Sequence, residues 1–150
     1  MLAFIVSLVL VILASLLQIT NFLLIGGIKS NLLVALFATL AHLDKNWIRR
    51  AILVFSSAFI LKFTPYLTWV DLIYVSTAFF IFALVDYLPW KRLVNSLAAG
   101  ITGTLILSFS FFHLKTFALE TLMNVILVIV FFVFLEIFYE GKKTAKKNRF

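Results

Sequence analysis

The chain is a series of long apolar segments separated by short polar breaks, and this pattern constrains the solvent in which it can fold. Of its 150 residues, 64% are hydrophobic and 13% are charged, and the mean hydropathy is +1.16. A soluble domain is about 45–50% apolar and about 25% charged, and a water-soluble fold of this size cannot bury so much apolar surface. The segments are continuous rather than alternating, and backbone groups in lipid need internal partners, so the pattern predicts membrane-spanning helices.

Basic residues are concentrated at alternate breaks between the apolar segments. Ten of the thirteen lie at three places: Lys45, Arg49 and Arg50; Lys91 and Arg92; and Lys142, Lys143, Lys146, Lys147 and Arg149. The remaining breaks carry one lysine each: Lys29, Lys62 and Lys115. Short loops rich in Lys and Arg stay in the cytoplasm. The sequence therefore predicts an all-α polytopic membrane protein with six transmembrane helices and both termini cytoplasmic.

The boundaries of these helices follow from the apolar segments and the residues that interrupt them. We expect helices near residues 2–17, 31–43, 47–63, 69–88, 93–112 and 117–139, forming one domain over residues 1–141 with a basic cytoplasmic tail at 142–150. Residues 22–28 are too short to span and form a surface piece, a re-entrant piece or a continuation of the first helix. Trp47, Trp69 and Trp90 fall at predicted interfaces, where indole is favoured.

Two sets of residues are candidates for helix packing or for contact with a partner protein. The fifth predicted helix carries small residues at spacings of three and four, namely Ser96, Ala99, Gly100, Gly103 and Thr104. Small residues allow close approach of helices, either within one subunit or at a partner interface. The second set is a polar patch at the outer end of the first two helices, formed by Gln18, Thr20, Asn21 and Asn31. Unpaired amides are unfavourable in hydrocarbon, so these should bond to one another, to exposed backbone or to water.

Acidic residues near the membrane are candidates for function. Asp86 and Glu136 lie near the predicted inner ends of the fourth and sixth helices, with Lys91, Arg92 and Lys143 as basic partners close in sequence. They form either interfacial ion pairs or a proton-coupled transport site, although no acidic residue is expected at the midplane. Asp71 and Glu120 lie at outer helix ends, where a carboxylate complements a helix N-terminus.

Catalytic, cofactor and metal sites are not expected from the sequence. It contains no cysteine, and His42 and His113 each lack a second ligand at metal-binding spacing. No nucleophile elbow, phosphate loop or catalytic carboxylate pair is present. The net charge of +7 suits attraction to anionic lipids at the cytoplasmic face. We therefore expect anionic lipids, and no nucleic acid, as partners of the basic residues.

The opening third of the chain resembles the MreD family, small membrane subunits of the bacterial rod-shape and cell-wall elongation machinery. The resemblance lies in residues 15–18 (SLLQ), 22–27 (FLLIGG) and 29–38 (KSNLLVALFA), although Ser30 stands where the family usually has proline. It implies a location in the bacterial inner membrane and a fold related to the membrane subunits of energy-coupling-factor vitamin transporters. It also implies partnership with a bitopic protein of the MreC type and other elongation-complex subunits, with Gln18, Ser30 and Asn31 as the positions carried over.

Three interpretations follow. The preferred one is a non-enzymatic membrane scaffold of the elongation machinery that acts through lateral helix contacts. The second is the substrate-binding subunit of a vitamin transporter, which predicts an outward polar cavity lined by residues such as Asn21, Asn31, Tyr66, Trp69 and Asp71. The third is a lipid-linked sugar translocase or another small carrier, in which Asp86 and Glu136 would be functional.

Overall fold

The computed structural model describes residues 2–20, 24–25, 28–62, 68–109 and 114–147. Within them the chain forms six helices: α1 (Leu2–Ile19), α2 (Leu32–Leu40), α3 (Trp47–Leu61), α4 (Trp69–Tyr87), α5 (Arg92–Ser108) and α6 (Leu114–Lys147). Two two-residue strands, β1 (Leu24–Ile25) and β2 (Ile28–Lys29), pair antiparallel between α1 and α2. The prediction of an all-α chain with six helices is therefore confirmed for this part of the sequence.

Local sequence signals determine where three of these helices begin. The Asn31 side chain accepts a hydrogen bond from the first turn of α2, and Asn46 accepts from the first turn of α3. Thr68 and Asp71 form a reciprocal capping box at the start of α4, which confirms the expected role of Asp71 at a helix N-terminus. Pro89 follows the end of α4, as expected from its missing N–H group.

The structure excludes one of the three alternatives for residues 22–28, and it makes the sixth helix longer than expected. Helix α1 ends at Ile19 and residues 24–25 pair with residues 28–29, so this segment is not a continuation of the first helix. Helix α6 extends through the start of the predicted tail to Lys147. Lysine and alanine are good helix formers, and a single glycine inside a helix costs only about 1 kcal/mol, so the polar composition after Gly141 does not end the helix.

Helix α2 occupies the centre of the molecule. All nine of its residues are buried, and α1, α4, α5 and α6 pack against it. The other helices form an arc in the order α1, α3, α4, α5 and α6, in which each packs on the next, and β2 packs on α6. The aromatic ring of Phe37 on α2 lies 5.6 Å from that of Phe82 and 6.5 Å from that of Tyr74, which joins the central helix to α4.

Charged contacts show how the connections are arranged at the two ends of the molecule. Arg50 at the start of α3 pairs with Asp86 at the end of α4. At the opposite end, Lys62 Nζ, just after α3, lies 3.9 Å from Asp71 Oδ2 in the first turn of α4. The α2–α3 and α4–α5 connections thus share one end, which we call the inner end because the sequence predicts it to be cytoplasmic.

Within the described residues, two helices are long and apolar enough to cross a membrane, as judged by length and composition: α4 over Trp69–Tyr87 and α6 over Thr116–Ile137. Helix α1 contributes a shorter apolar stretch, Ala3–Ile19. Helix α2 is about 14 Å long, against a hydrocarbon thickness of about 30 Å. The described residues therefore contain six helices, but the helix lengths alone do not show that all six cross a membrane.

The described residues combine an apolar core with a largely apolar surface, and polar groups are buried among the helices. Large apolar side chains cover the outside, including Phe59 at 84% exposed and Trp69 at 81%. Polar and charged side chains lie inside: Ser7, Ser15, Ser30, Thr39, Arg50, Ser57, Thr77, Asn95, Ser96, Thr104 and Asn124 are all buried. An apolar exterior with polar groups paired inside is the arrangement that lipid favours.

Candidate functional site

Side-chain amides complete the N-terminus of the central helix α2. Because α2 begins inside the protein, its first N–H groups need partners other than water. The Oε1 atom of Gln18 accepts from the Leu32 N–H at 2.9 Å, and Asn31 Oδ1 accepts from the Val34 N–H at 3.3 Å. Asn124 Oδ1, on α6, accepts from the Asn31 N–H at 2.8 Å. The expectation that the amides of Gln18 and Asn31 bond to exposed backbone is thus confirmed.

Asn124 connects this cap to α5. Its side chain is buried at 1% exposed, and its Nδ2 group donates to Thr104 Oγ1 at 2.8 Å. The Thr104 hydroxyl in turn donates to the Gly100 carbonyl at 2.8 Å. A chain of hydrogen bonds therefore runs from the start of α2 through α6 to the small face of α5. The sequence analysis did not single out Asn124, although it is a lone amide in the most apolar part of α6.

The small face of α5 is used for packing within the chain. Its members Ser96, Ala99, Gly100, Gly103 and Thr104 are buried. A Cβ atom built on Gly103 would lie 2.6 Å from Ile81 Cδ1 and 3.1 Å from Val34 Cγ1, and one on Gly100 would lie 3.0 Å from Val128 Cγ2. These contacts reach α4, α2 and α6, so the face that could have met a partner protein is occupied by the chain's own helices.

Ser96 adds a polar contact on the same face. Its hydroxyl donates to the carbonyl of Ala38 on α2 at 2.9 Å. Near the outer end of the same helix, Ser108 donates to Glu120 on α6 at 2.9 Å. These bonds link α5 to α2 and α6.

Arg50 organises the inner end. Its side chain is fully buried at 0% exposed, and its Nη1 and Nη2 groups donate to the two carboxylate oxygens of Asp86, the latter at 3.0 Å. Its Nη2 also donates to the Ala41 carbonyl and its Nε to the Asp44 carbonyl, both at 2.7 Å. Four N–H donors of one guanidinium therefore join the end of α2, the α2–α3 turn and the end of α4.

Aromatic rings enclose the same guanidinium. The Arg50 Cζ atom lies 5.1 Å from the ring centre of Trp47 and 5.0 Å from that of Phe82, within the range of cation–π attraction. The sequence analysis expected Lys91 or Arg92 to pair with Asp86, but the structure pairs it with Arg50. Nearness along the chain was misleading here, because the partner comes from the other connection at the same end of the molecule.

The remaining predicted positions do not join one site. Glu136 lies on the exposed side of α6, and Ser30 is buried next to the α2 cap, where its hydroxyl has no partner within the described residues. Asn21 lies outside the described residues. Of the residues expected to line a transporter cavity, Asn31 and Asp71 cap helices and Trp69 is exposed, while Tyr66 also lies outside the described residues.

A small polar cavity lies at the inner end between the α2–α3 turn, the end of α4 and the start of α5. It has a volume of about 240 Å³ and is lined by His42, Lys45, Asp86, Trp90, Arg92 and Asn95, together with apolar residues of α4. We call it the inner cavity. The sequence analysis did not assemble it, because its residues come from two stretches of the chain, 42–45 and 85–95, that are about forty residues apart.

His42 lies in the turn after α2 and is uncharged at neutral pH. Burial is the largest cause that lowers the pKa of its imidazole, and the charges of Arg92 and Lys45 lower that pKa further. A hydrogen bond with the Arg92 backbone and the Asp86 carboxylate act in the opposite direction without reversing the shift. The Nε2 atom of His42 is buried and has no hydrogen-bond partner within the described residues. His113, the second histidine, lies outside them.

Asn95 is the second buried amide that the sequence analysis missed. It is 4% exposed, and its Nδ2 group donates to the carbonyls of Leu88 at 2.7 Å and Val85 at 3.4 Å. These bonds complete the C-terminal end of α4. Its Oδ1 atom is buried without a partner within the described residues.

Clusters of three or more His, Asp or Glu side chains that could hold a metal ion are not found in the part of the chain that the structure describes. Comparison of the chain with protein-family models, with curated proteins and with solved structures finds no match.

Proposed function

We propose that this chain is a multi-pass scaffold subunit of the bacterial cell-shape and peptidoglycan elongation machinery, located in the cytoplasmic membrane. In this proposal it acts by lateral helix contacts with a bitopic partner of the MreC type and has no catalytic activity of its own. The resemblance of residues 15–18, 22–27 and 29–38 to the MreD family supports the biological setting.

The observation that carries the lateral mode of action is the largely apolar outer surface of the described helices. Gln18, Asn31 and Asn124 are engaged in the α2 cap, and Asp86 is engaged by Arg50. The outward side chains of α1, α3, α4 and α6 are mainly apolar. A protein whose polar groups hold its own helices together and whose outer surface is apolar can recognise another protein in the membrane by helix packing.

Six crossings with cytoplasmic termini remain part of the proposal. The meeting of the α2–α3 and α4–α5 connections at one end supports the alternation of the helices that such a topology requires. Helices α2, α3 and α5 are shorter than a typical span of about 20 residues. Burial of α2 among its neighbours and local thinning of the bilayer would accommodate these lengths.

Recovery of binding partners from a bacterial membrane tests the proposal most directly. We expect a tagged chain, purified in mild detergent, to retain a bitopic membrane protein of the elongation machinery in stoichiometric amount. Recovery of an ATPase module or a tightly bound vitamin would contradict the scaffold role and favour the transporter alternative. Retention of a lipid-linked sugar would favour a translocase.

Site-directed crosslinking can then identify the helix that meets the partner. The chain contains no cysteine, so single cysteines can be introduced without a background. Suitable exposed positions are Leu13 on α1, Phe55 on α3 and Val130 on α6, with the buried Ala99 as a negative control. A lateral interface predicts crosslinks from one exposed face and none from Ala99→Cys. No crosslink from any exposed helix would contradict lateral contact.

A further inference from the structure

Among the described residues that line the inner cavity, basic side chains outnumber acidic ones. Lys45 and Arg92 line it and are exposed, whereas the carboxylate of Asp86 is already paired with Arg50. Helix α5 begins beside the cavity, and its N-cap residue Lys91 makes no side-chain cap. Uncapped N–H groups and a helix N-terminus both favour an anion. The chemistry at the cavity mouth therefore suits a phosphate group.

Two residues that line the cavity, Asn95 and His42, each have a buried polar atom with no partner among the described residues. A ligand there therefore needs a hydrogen-bond donor as well as an anionic group. The Nδ2 group of Asn95 faces the carbonyls of Val85 and Leu88, and this fixes the orientation of the amide, since a flipped amide would place oxygen against oxygen. The Oδ1 atom of Asn95 is therefore an acceptor that has no donor among the described residues. His42 Nε2, also buried and unpartnered in the described structure, is an acceptor when the imidazole is neutral, because the other ring nitrogen carries the proton and donates to the Arg92 backbone. A ligand that carries hydroxyl groups next to its phosphate would satisfy these atoms.

An adjoining surface groove distinguishes a lipid from a free phosphate compound. This groove has a volume of about 430 Å³ and is lined by Pro89, Trp90, Lys91 and Val94. Trp90 lines both the groove and the inner cavity, so a headgroup in the cavity can continue into an acyl chain that lies along the groove. Tryptophan commonly lies at the level of lipid headgroups.

We propose that the inner cavity binds the headgroup of an anionic, hydroxyl-bearing phospholipid of the phosphatidylglycerol class. Lys45, Arg92 and the N-terminus of α5 hold the phosphate, and Asn95 Oδ1 accepts a hydrogen bond from a headgroup hydroxyl. The acyl chain leaves beside Trp90. This site is more specific than a general attraction of basic residues to anionic lipid, and it does not depend on the scaffold role.

Binding of a short-chain phosphatidylglycerol to the full-length protein in detergent tests this site, with native mass spectrometry as the readout. We expect one bound lipid per chain and a loss of affinity of about tenfold or more in the double variant Lys45→Gln with Arg92→Gln, because two charge-assisted contacts are removed. Both side chains are exposed, so the fold should not change. The matched control is Arg49→Gln with Lys143→Gln, which removes the same charge elsewhere. Equal weakening by the two double variants would overturn the site in favour of unspecific attraction.

Two further ligands separate the parts of the proposal. Phosphatidylmethanol has the same charge as phosphatidylglycerol but no headgroup hydroxyl, and we expect it to bind more weakly. Equal binding of the two would overturn the role of Asn95 as acceptor. Glycerol phosphate carries the polar group without acyl chains, and we expect it not to displace the lipid at equal concentration. Displacement by glycerol phosphate would overturn a lipid as the occupant.

Discussion

The buried guanidinium of Arg50 is stable in this protein because hydrogen-bond acceptors and aromatic rings surround it. Arg50 meets the carboxylate of Asp86, two backbone carbonyls and two aromatic rings. A charge taken out of water without such partners would cost several kcal/mol. The same residue fixes the relative positions of three helix ends, so its role is to hold the geometry of the inner end.

Removal of the charge on Asp86 tests that role. We expect Asp86→Asn to lower the free energy of unfolding by about 2–3 kcal/mol, because Arg50 would keep a buried charge without a counterion. Joint replacement by apolar residues, Arg50→Met with Asp86→Leu, should restore part of this loss. The measurement is unfolding in mixed micelles followed by tryptophan fluorescence. Asp44→Asn is the control: it weakens the pair with the more exposed Arg49 and keeps an oxygen that can accept from the Asn46 N–H, so it should change stability little. An equal effect of the two single variants would contradict the account.

The lowered pKa of His42 gives stability a defined dependence on pH. The imidazole takes up a proton more readily in the unfolded chain than in the folded one, so stability should be complete above the ordinary histidine pKa of about 6.5 and fall as the pH drops below it. The measurement is the unfolding of the wild type and of His42→Gln between about pH 7.5 and about pH 5.5, the range in which histidine titrates. The free energy of unfolding of His42→Gln should fall less steeply than that of the wild type as the pH drops. An unchanged slope would show that His42 does not carry it.

The central helix α2 shows why a short apolar element can be stable in the middle of this helical fold. Its nine residues are all buried, and both of its ends are completed by other elements rather than by water. The side chains of Gln18, Asn31 and Asn124 accept hydrogen bonds from backbone N–H groups at its N-terminal end. Arg50 donates to the Ala41 carbonyl just after its last turn. These hydrogen bonds, together with the close packing of its apolar side chains, hold α2 in position.

Asn124 should therefore contribute to the stability of the fold, because its side chain joins the N-terminal end of α2 to α5. We expect Asn124→Leu to destabilise the fold by about 1–3 kcal/mol, because the Asn31 N–H would remain buried without an acceptor. Thr121→Val is a matched control on the same helix, since it removes a buried hydroxyl that has no partner within the described residues and preserves the shape. This control should be neutral or stabilising. Unfolding in mixed micelles measures both, and a larger loss from Thr121→Val than from Asn124→Leu would contradict the assignment.

The two glycines of α5 should differ in their tolerance of a methyl group. Gly103→Ala brings a Cβ to 2.6 Å from buried Ile81 and should cost about 1–2 kcal/mol through overpacking. Gly100→Ala meets Val128 at 3.0 Å, and here the gain in helix propensity of about 0.5–1 kcal/mol offsets most of the strain. Val94→Ile adds a methylene on the exposed side as a control. Helical circular dichroism during detergent unfolding gives the ranking, and equal stability of both alanine variants would contradict it.

The sequence predicted the helices more successfully than the contacts between them. Helix positions depend on local apolar runs and on caps such as Asn31 and Thr68, which are readable along the chain. The pairs Arg50–Asp86 and Asn31–Asn124 are separated by 36 and 93 residues, and no local pattern links their members. Asp86 could have been assigned to Arg50 from the predicted topology, which places both at the inner end. Asn95 gave no signal beyond being an amide in an apolar helix.

Taken as a whole, the described part of the molecule has a largely apolar exterior around an apolar core, and buried polar groups bond its helices to one another. The exposed surface of α1, α3, α4 and α6 is largely Ile, Leu, Val and Phe, while amides, hydroxyls and one guanidinium bond to each other and to backbone in the interior. In water such a surface would associate; in lipid it is solvated. The function we propose follows from this arrangement, because the lipid-facing surface is also the surface that a membrane partner would meet.

Sidedness of single cysteines tests the central claim, that the helices thread a bilayer with their basic connections on the cytoplasmic side. The variants are Lys45→Cys in the α2–α3 connection, Thr68→Cys before α4 and Lys143→Cys near the end of α6, each labelled in intact cells with a membrane-impermeant maleimide. The account predicts labelling of Thr68→Cys from outside and labelling of Lys45→Cys and Lys143→Cys only after the membrane is opened. Lys45→Cys and Lys143→Cys on opposite sides, or all three labelled from outside, would contradict it.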